Sequence, residues 1–303
     1  MIRIRIGTRG SALALAQSNW VKAQLQENQP VLEVELRIIK TSGDRLIDTP
    51  ISDLGGKGAF TKEIEEALLR GEIDLAVHSM KDLPPQLPAG LVIAAVPKRE
   101  DARDVLVTRE KRAFAELPSG FTIGTGSIRR RAQLLHKRGD LSMLPIRGNV
   151  DTRLRKLDEG QVDGLVMAAA GLKRIGRADR IREYLADDVC VSAVAQGALG
   201  IESQKDSSVC EHLRFLHDPA TCSEVAAERA LLDRLGGDCY VPIGARCRLA
   251  GSELKLTAIV ASPDGSRLCR SEIGGHADDA AELGRCLAEE LLKQGAAELL
   301  VAK

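Results

Sequence analysis

The segment from Ile73 to Pro85 constrains the fold of this chain more than any other. Its apolar run from Ile73 to Val77 is typical of a buried parallel strand, and polar residues follow at once, among them His78, Lys81 and Asp82. Open α/β sheets bind ligands beyond the carboxyl ends of their strands. Asp82 is therefore a candidate general acid/base or charge stabiliser. The alternative is a strand that leads into a solvated loop.

The charge balance and composition limit the kinds of molecule that this protein can bind. The chain has 303 residues, with 43 Lys+Arg and 43 Asp+Glu, so its formal net charge is zero. Neutrality argues against a general polyanion binder, and 2% aromatic residues leave little for stacking bases. No apolar run approaches membrane-spanning length, and the N-terminus alternates like a strand without the apolar core of a signal peptide. We expect a cytoplasmic protein with a small-molecule substrate and neither a nucleic-acid nor a membrane partner.

The cysteines argue against a metal cage. There are seven, at irregular spacings and with no C-x-x-C, so we predict no metal or disulfide framework. Most should be reduced and buried as small hydrophobic residues. Cys239 differs, because it lies in the glycine-rich stretch 236–244, and loops run on the surface. It is the best candidate for a covalent role, although its position suits a plain exposed thiol equally well.

The first predicted strand, in which Ile2, Ile4 and Ile6 alternate with arginines, ends in a loop that contains Arg9 and Ser11. Ser11 is a good N-cap for a helix whose residues at helical spacing are Leu13, Ala16, Trp20 and Ala23. A helix N-terminus with an arginine favours an anion site. Simple capping with a solvated Arg9 explains the loop equally well.

Arginines recur at predicted strand ends and helix starts in the middle of the chain. Residues 124–131 read GTGSIRRR and open a helix, which predicts an anion site built from free N–H groups, hydroxyls and guanidinium groups. A predicted strand at 143–146 leads to Arg147, and Asp151 is predicted to cap a helix that carries Arg153. A strand at 164–167 is followed by Arg174. Randomly scattered surface arginines would not favour these positions.

Six motifs of this chain resemble those of the porphobilinogen deaminase family, also called hydroxymethylbilane synthase. They are HSMKDLP, GGKGAF, GTGSIRR, RGNVDTRL, AAAGLKR and GGDCYVPIG. The resemblance runs from Arg9 to about Gly244. It implies a monomeric transferase of haem biosynthesis that joins four porphobilinogen molecules into hydroxymethylbilane and releases ammonia. It also implies a dipyrromethane cofactor, attached to a cysteine by a thioether.

The resemblance implies roles for particular residues. Asp82 would be catalytic, because its carboxylate can stabilise the azafulvene cation left when porphobilinogen loses ammonia. Cys239 would hold the cofactor covalently. Further cofactor contacts are implied for Lys81, Thr125, Ser127, Arg129, Arg130 and Arg147, and substrate contacts for Arg9, Ser11, Arg153 and Arg174. Arg131 has no matched role, and we expect it on the surface.

The sequence departs from the family pattern at two positions. Gly126 stands where a serine is usual, which removes one hydroxyl but keeps the backbone N–H. Asp238 stands where a glycine is usual, directly before Cys239, and its carboxylate would raise the pKa of that thiol.

The predicted fold class is α/β. We expect two βα domains like those of bilobal periplasmic binding proteins, at 1–97 with 198–216 and at 98–197, and a small C-terminal α+β domain at 217–303. The rival function is a non-enzymatic bilobal protein that binds a small anionic ligand. The third domain and its glycine-flanked cysteine favour the enzyme, since a sensor needs no covalent attachment.

Overall fold

The computed structural model describes residues 2–45, 60–110, 112–236 and 241–301. The strands of this part of the chain are β1 (Ile2–Thr8), β2 (Leu32–Ile38), β3 (Leu75–Ser79), β4 (Leu91–Ala95), β5 (Asp104–Thr108), β6 (Thr122–Gly124), β7 (Ser142–Leu144), β8 (Gly164–Ala168), β9 (Glu183–Tyr184), β10 (Leu199–Gln204), β11 (Ile243–Ala250), β12 (Glu253–Ala261) and β13 (Leu268–His276). The helices are α1 (Ala12–Asn28), α2 (Ser42–Arg45), α3 (Lys62–Leu69), α4 (Ile128–Lys137), α5 (Val150–Asp158), α6 (Ala169–Arg174), α7 (Val209–Leu213), α8 (Pro219–Arg234), α9 (Ala280–Lys293) and α10 (Ala296–Val301).

The chain divides into two compact units. The first contains Met1–Arg99 and Ala198–Thr221, and the second contains Glu100–Gly197 and Cys222–Lys303. The sheet of the first unit has the strand order β2-β1-β3-β10-β4. β1 is parallel to β2 and β3, and β10 is antiparallel to β3 and β4. Apolar residues alternate along β1, and Ile4 and Ile6 are buried. Ile2, the first residue of the strand, is 51% exposed.

Helix α1 begins where the sequence predicts, but a different face is buried. The Ser11 hydroxyl accepts a hydrogen bond from the Ala14 N–H at 3.3 Å, which confirms the predicted N-cap. Val21 and Leu25 are fully buried, whereas Trp20 is 43% exposed. The predicted stripe through Trp20 is therefore wrong, because the sheet packs against the face one residue further along the helix.

Strand β3 also differs from the prediction. It starts at Leu75 and includes His78 and Ser79, so these two residues belong to the sheet and not to a polar loop. It is parallel to β1 but antiparallel to β10. The polar segment begins only with the 3-10 turn Met80–Asp82.

The second unit contains two sheets. The first has the order β7-β6-β8-β5-β9, with β6 parallel to β7 and β8, and β5 antiparallel to β8 and β9. The second is the antiparallel C-terminal sheet β11-β12-β13, against which α9 and α10 pack. Together with the first unit, these sheets confirm a mixed α/β fold with two sheet-and-helix domains and a small C-terminal domain. The exact boundaries of three domains stay a prediction.

Contacts within the second unit join the C-terminal sheet to the preceding domain. The Ala245 N–H donates to the Ser192 carbonyl at 2.9 Å. The buried Glu228 carboxylate accepts from the N–H groups of Ala195 at 2.6 Å and Cys247 at 2.7 Å. Ala195 has φ 57°, a left-handed conformation that is unusual for a residue other than glycine. Glu228 therefore holds a strained turn in place.

The six described cysteines are thiols and not part of disulfides. Only Cys190 and Cys247 among them are buried, so the prediction that most are core residues is wrong. None of the helices in the described ranges has the length and apolar character of a membrane span.

Candidate functional site

The first sheet brings two predicted site loops to one edge. β1 and β3 are parallel neighbours, with Ile6 opposite Leu75, so the segments after Thr8 and Ser79 leave the same side of the sheet. The Gln17 Nε2 atom donates to the Ser79 hydroxyl at 2.9 Å and ties α1 to the end of β3. Arg9 and Ser11 thus share an edge with Lys81 and Asp82.

The residues at this edge remain accessible. Arg9, Ser11 and Lys81 are partly exposed, and Asp82 is exposed. The Arg9 guanidinium carbon lies 4.2 Å from the centre of the Phe60 ring, a cation–π contact that orients the side chain.

The turn that carries Asp82 is held in place by a backbone hydrogen bond and by buried side chains. The Met80 N–H donates to the Ala198 carbonyl at 3.0 Å. Met80, the first residue of the turn, and Leu83, directly after it, are buried. An exposed carboxylate on a fixed turn is accessible to a substrate.

A buried acid–base cluster lies in the same unit and was not predicted. His78 Nε2 is 3.0 Å from a carboxylate oxygen of Glu202 on β10, and both side chains are buried. Burial raises the pKa of the nearby Glu65, and the charge of Glu202 raises it further. Glu65 is one of three glutamates on the amphipathic α3, and nothing in the sequence distinguishes it from the other two.

In the second unit, Thr125 and Ser127 form the turn between β6 and α4. Thr125 Oγ1 accepts from the Ser127 N–H at 3.2 Å, and Ser127 Oγ accepts from the Arg130 N–H at 3.5 Å, so both hydroxyls shape the helix start. A Cβ atom at Gly126 would lie 2.9 Å from the Ile146 carbonyl oxygen. The glycine at this departure from the family pattern therefore matches a close backbone approach.

Arg129 and Arg130 lie in the protein interior, each 5% exposed. Both pair with the fully buried Asp104, through Nη1 of Arg129 at 2.6 Å and Nη2 of Arg130 at 2.8 Å. Burial alone would raise the pKa of Asp104, but the two guanidinium groups outweigh it and hold that pKa well below its usual range. Asp104 was not predicted, although an aspartate directly before the apolar run 105–107 was a possible signal.

Arg147 and Arg153 lie beyond the end of β7. Arg147 is partly exposed. The residue that caps α5 is Asn149, whose side chain accepts from the Thr152 N–H at 2.9 Å, so the predicted cap at Asp151 is wrong. The Arg153 Nε donates to the Gly148 carbonyl at 2.8 Å. Asp151 instead lies in the first turn, where its charge complements the helix dipole.

Arg153 and Arg174 are cations that the protein desolvates without neutralising. Burial lowers the pKa of Arg153 to about 10, and the like charge of Arg130 adds to the effect. Burial lowers the pKa of Arg174 to about 10 as well, against the attraction of Glu100, and its Nη2 donates to the Gly197 carbonyl at 2.6 Å. Neither arginine has an ion-pair partner within 4.0 Å among the described residues. Both stay charged at neutral pH, so an anion would compensate the cost of burying their charges.

These features fit a ligand with several carboxylates. Partly buried arginines without an ion-pair partner among the described residues are suited to such a group, because a guanidinium binds a carboxylate through two parallel hydrogen bonds. Arg131 is exposed, as predicted. Cys239, Asp238 and the glycines of the GGKGAF motif lie outside the described residues.

Comparison with known proteins gives matches along almost the whole chain. A family model described as "Porphobilinogen deaminase, dipyromethane cofactor binding domain" matches residues 4–212, and one described as "Porphobilinogen deaminase, C-terminal domain" matches residues 222–293. A porphobilinogen deaminase of Pelobacter propionicus is 51% identical over 98% of this chain and 96% of its own length. One of Geobacter sulfurreducens is 51% identical over 98% and 94%.

Similarity to solved structures is weaker. A methionine-binding protein is 13% identical, with a TM-score of 0.45 over 69% of this chain and 87% of its own. That score is too low to support an argument, so the likeness to periplasmic binding proteins stays a prediction.

Proposed function

This chain belongs to the porphobilinogen deaminase family, and from that premise we propose that it joins four porphobilinogen molecules into hydroxymethylbilane with release of ammonia. It is a transferase of tetrapyrrole biosynthesis with a dipyrromethane cofactor. The 51% identity to a porphobilinogen deaminase over 98% of this chain carries this conclusion. A purely binding role is not favoured, because the curated relatives that are 51% identical to this chain carry the name of the enzyme.

The arginines of the second unit would hold the carboxylates of the growing chain. Each pyrrole unit has an acetate and a propionate, so the product gains negative charge with every addition. Arg153 and Arg174 support this role most directly, since both are desolvated and lack an ion-pair partner among the described residues. We assign further contacts to Arg147, Thr125 and Ser127 in this unit, and to Arg9, Ser11 and Lys81 in the first.

We assign the chemistry to Asp82. Loss of ammonia from porphobilinogen leaves an electron-poor azafulvene cation, which a fixed carboxylate stabilises electrostatically. The same carboxylate can move protons onto the leaving amine and away from the coupled ring. Its exposed position on the turn Met80–Asp82 leaves it free to face the pyrrole N–H groups.

Cys239 would hold the cofactor through its sulfur. When bound, the dipyrromethane supplies the pyrrole carbon to which the first substrate unit is added. The residues of this chain bind the carboxylates, fix the rings and move the protons. Monomeric state, cytoplasmic location and the three domain boundaries are further proposals from the resemblance.

Two measurements on purified protein test the proposal. The wild type should consume porphobilinogen with release of ammonia and formation of a linear tetrapyrrole, and its intact mass should exceed the polypeptide mass by two linked pyrrole units. Cys239→Ser should lack a stable increment. Active wild-type protein with the bare polypeptide mass would refute the covalent cofactor site, and absence of turnover in protein that carries the increment would refute the reaction.

A further inference from the structure

Asp104 is a fully buried, ionised group with no part in the chemistry described so far. It is the first residue of β5 and lies opposite Ala168, the last residue of β8. Because β5 is antiparallel to β8, its start lies at the edge where β6 and β8 end. Asp104 therefore occupies the strand-end edge that carries the predicted carboxylate-binding residues.

Both oxygens of Asp104 are bound by several donors. Oδ2 accepts from Arg129 Nη1 at 2.6 Å and from the Cys190 thiol at 3.3 Å. Oδ1 accepts from Arg130 Nε at 2.9 Å and from Gln196 Nε2 at 2.9 Å. A carboxylate held on both oxygens has one orientation, and it fixes the planes of both guanidinium groups.

The two arginines are bound differently. Every guanidinium nitrogen of Arg130 has a protein partner, since Nη1 donates to the Val166 carbonyl at 3.1 Å and Nη2 to the Gln196 side chain at 3.3 Å. Arg129 uses only Nη1, which also donates to the Val191 carbonyl at 2.6 Å. Its Nε and Nη2 have no hydrogen-bond partner among the residues that the structure describes. These two atoms form the edge through which a guanidinium binds a carboxylate with two parallel bonds.

We propose that Asp104 is a positioning residue for carboxylate binding, which holds Arg129 by Nη1 so that its Nε–Nη2 edge faces a carboxylate of the substrate or cofactor. Arg130 has a positioning role in the same cluster, where its charge balances Asp104 and its nitrogens hold Asp104 and Gln196. One carboxylate between two guanidinium groups leaves one positive charge for the ligand. This inference rests on the proposed function.

The test is Asp104→Asn in the full chain, which keeps the size and removes the charge. Apoprotein is made in a host that cannot produce porphobilinogen, and the gain of two pyrrole units is followed by intact mass at several porphobilinogen concentrations. KM and kcat are measured on the loaded protein. The matched control is Asp140→Asn, which removes an aspartate that pairs with Arg138 at 2.7 Å on the surface of the same unit.

A positioning role affects binding in the ground state, so KM should rise while kcat changes little. The half-saturating porphobilinogen concentration for loading and the KM should both rise at least about tenfold, which corresponds to one weakened charged hydrogen bond. A merely structural role would reduce the amount of active protein and lower the apparent kcat at unchanged KM. Folded Asp104→Asn with wild-type KM and wild-type loading would overturn the proposal.

If Asp104→Asn does not fold, Gln196→Ala decides the question. It removes one donor to Asp104 without changing any charge. The proposal predicts a folded protein with a KM raised several-fold, and an unchanged KM overturns it. Wild-type protein that neither loads nor turns over would instead refute the proposed function, which separates the two failures.

Discussion

The strand-end edge of the first unit exposes its charged residues, whereas the strand-end edge of the second unit buries most of them. At the edge of the first sheet, Asp82 is exposed and Arg9 and Lys81 are partly exposed. At the strand-end edge of the sheet β7-β6-β8-β5-β9 in the second unit, Arg129, Arg130 and Asp104 are buried together. The first edge presents a carboxylate to the solution, whereas the second confines its carboxylate within a network of donors.

This difference suggests a division of tasks. A group that exchanges protons with a substrate must reach it, and exposure on a fixed turn permits that. Groups that hold a polyanion gain from low dielectric, because Coulomb attraction strengthens away from water. Substitutions at the first edge should therefore change rate and leave stability alone, while those in the buried cluster should change stability as well.

The largest expected effect on stability comes from Asp104→Asn. Removing one partner of a buried ion pair costs about 3–5 kcal/mol, so the free energy of unfolding at pH 7 should fall by that order. The pKa of Asp104 is lowered in the fold, so its contribution is complete above the unfolded value, about 3.9, and declines as the pH falls below it. Denaturant unfolding from pH 7 to pH 3 should show the gap between wild type and variant narrowing in acid. A gap that does not change with pH would show that Asp104 is not ionised in the fold.

Arg153→Leu should weaken binding and leave the fold intact. Loss of a charged hydrogen-bond donor costs about 1.5–3 kcal/mol, so KM for porphobilinogen should rise roughly tenfold to a hundredfold. Because burial lowers the pKa of Arg153, its charge opposes folding, and the free energy of unfolding should not decrease.

The matched control is Arg155→Leu on the same helix. The Arg155 side chain is 62% exposed and pairs with Glu159 at 2.6 Å. KM of that variant should match the wild type. Equal changes in KM for the two leucine variants would remove the distinction between a desolvated arginine and a solvated one.

Arg112→Leu should have the smallest effect. Arg112 lies on the surface and pairs with Glu110 at 2.7 Å, with both side chains largely exposed. Exposed pairs contribute about 0–1 kcal/mol, so turnover and unfolding should stay close to the wild type. A clear loss of turnover, measured under the same conditions as for Arg153→Leu, would mean that general surface charge matters more than the arginines at the strand ends.

Local signals in the sequence predicted much of the fold. Ser11 was identifiable as an N-cap because its hydroxyl binds an N–H only three residues away. The strand positions of Ile4 and Ile6 followed from an alternation within five residues. Such features depend on near neighbours, which the sequence contains.

Most of the wrong or missing predictions concern contacts between residues that are far apart in the sequence. Whether Trp20 or Val21 faces the core depends on the sheet against which α1 packs. The Asp104 cluster joins residues 25, 26 and 92 positions apart, so an aspartate before the apolar run 105–107 does not by itself identify its partners. The cap at Asn149 was missed because Asp151, two residues later, is an equally good capping type.

The most direct test of this division of tasks is the turnover rate of Asp82→Asn per molecule of protein that carries the two-pyrrole mass increment. The change keeps size and removes only the charge, and Asp179→Asn, at an exposed aspartate on another 3-10 turn, is the control. We predict a folded, loaded protein whose rate is about 10²–10³ lower than that of the wild type, as expected for loss of one preorganised electrostatic partner. Loaded Asp82→Asn that keeps more than about a tenth of the wild-type rate, far above that range, would contradict the assignment of the chemistry to the exposed edge.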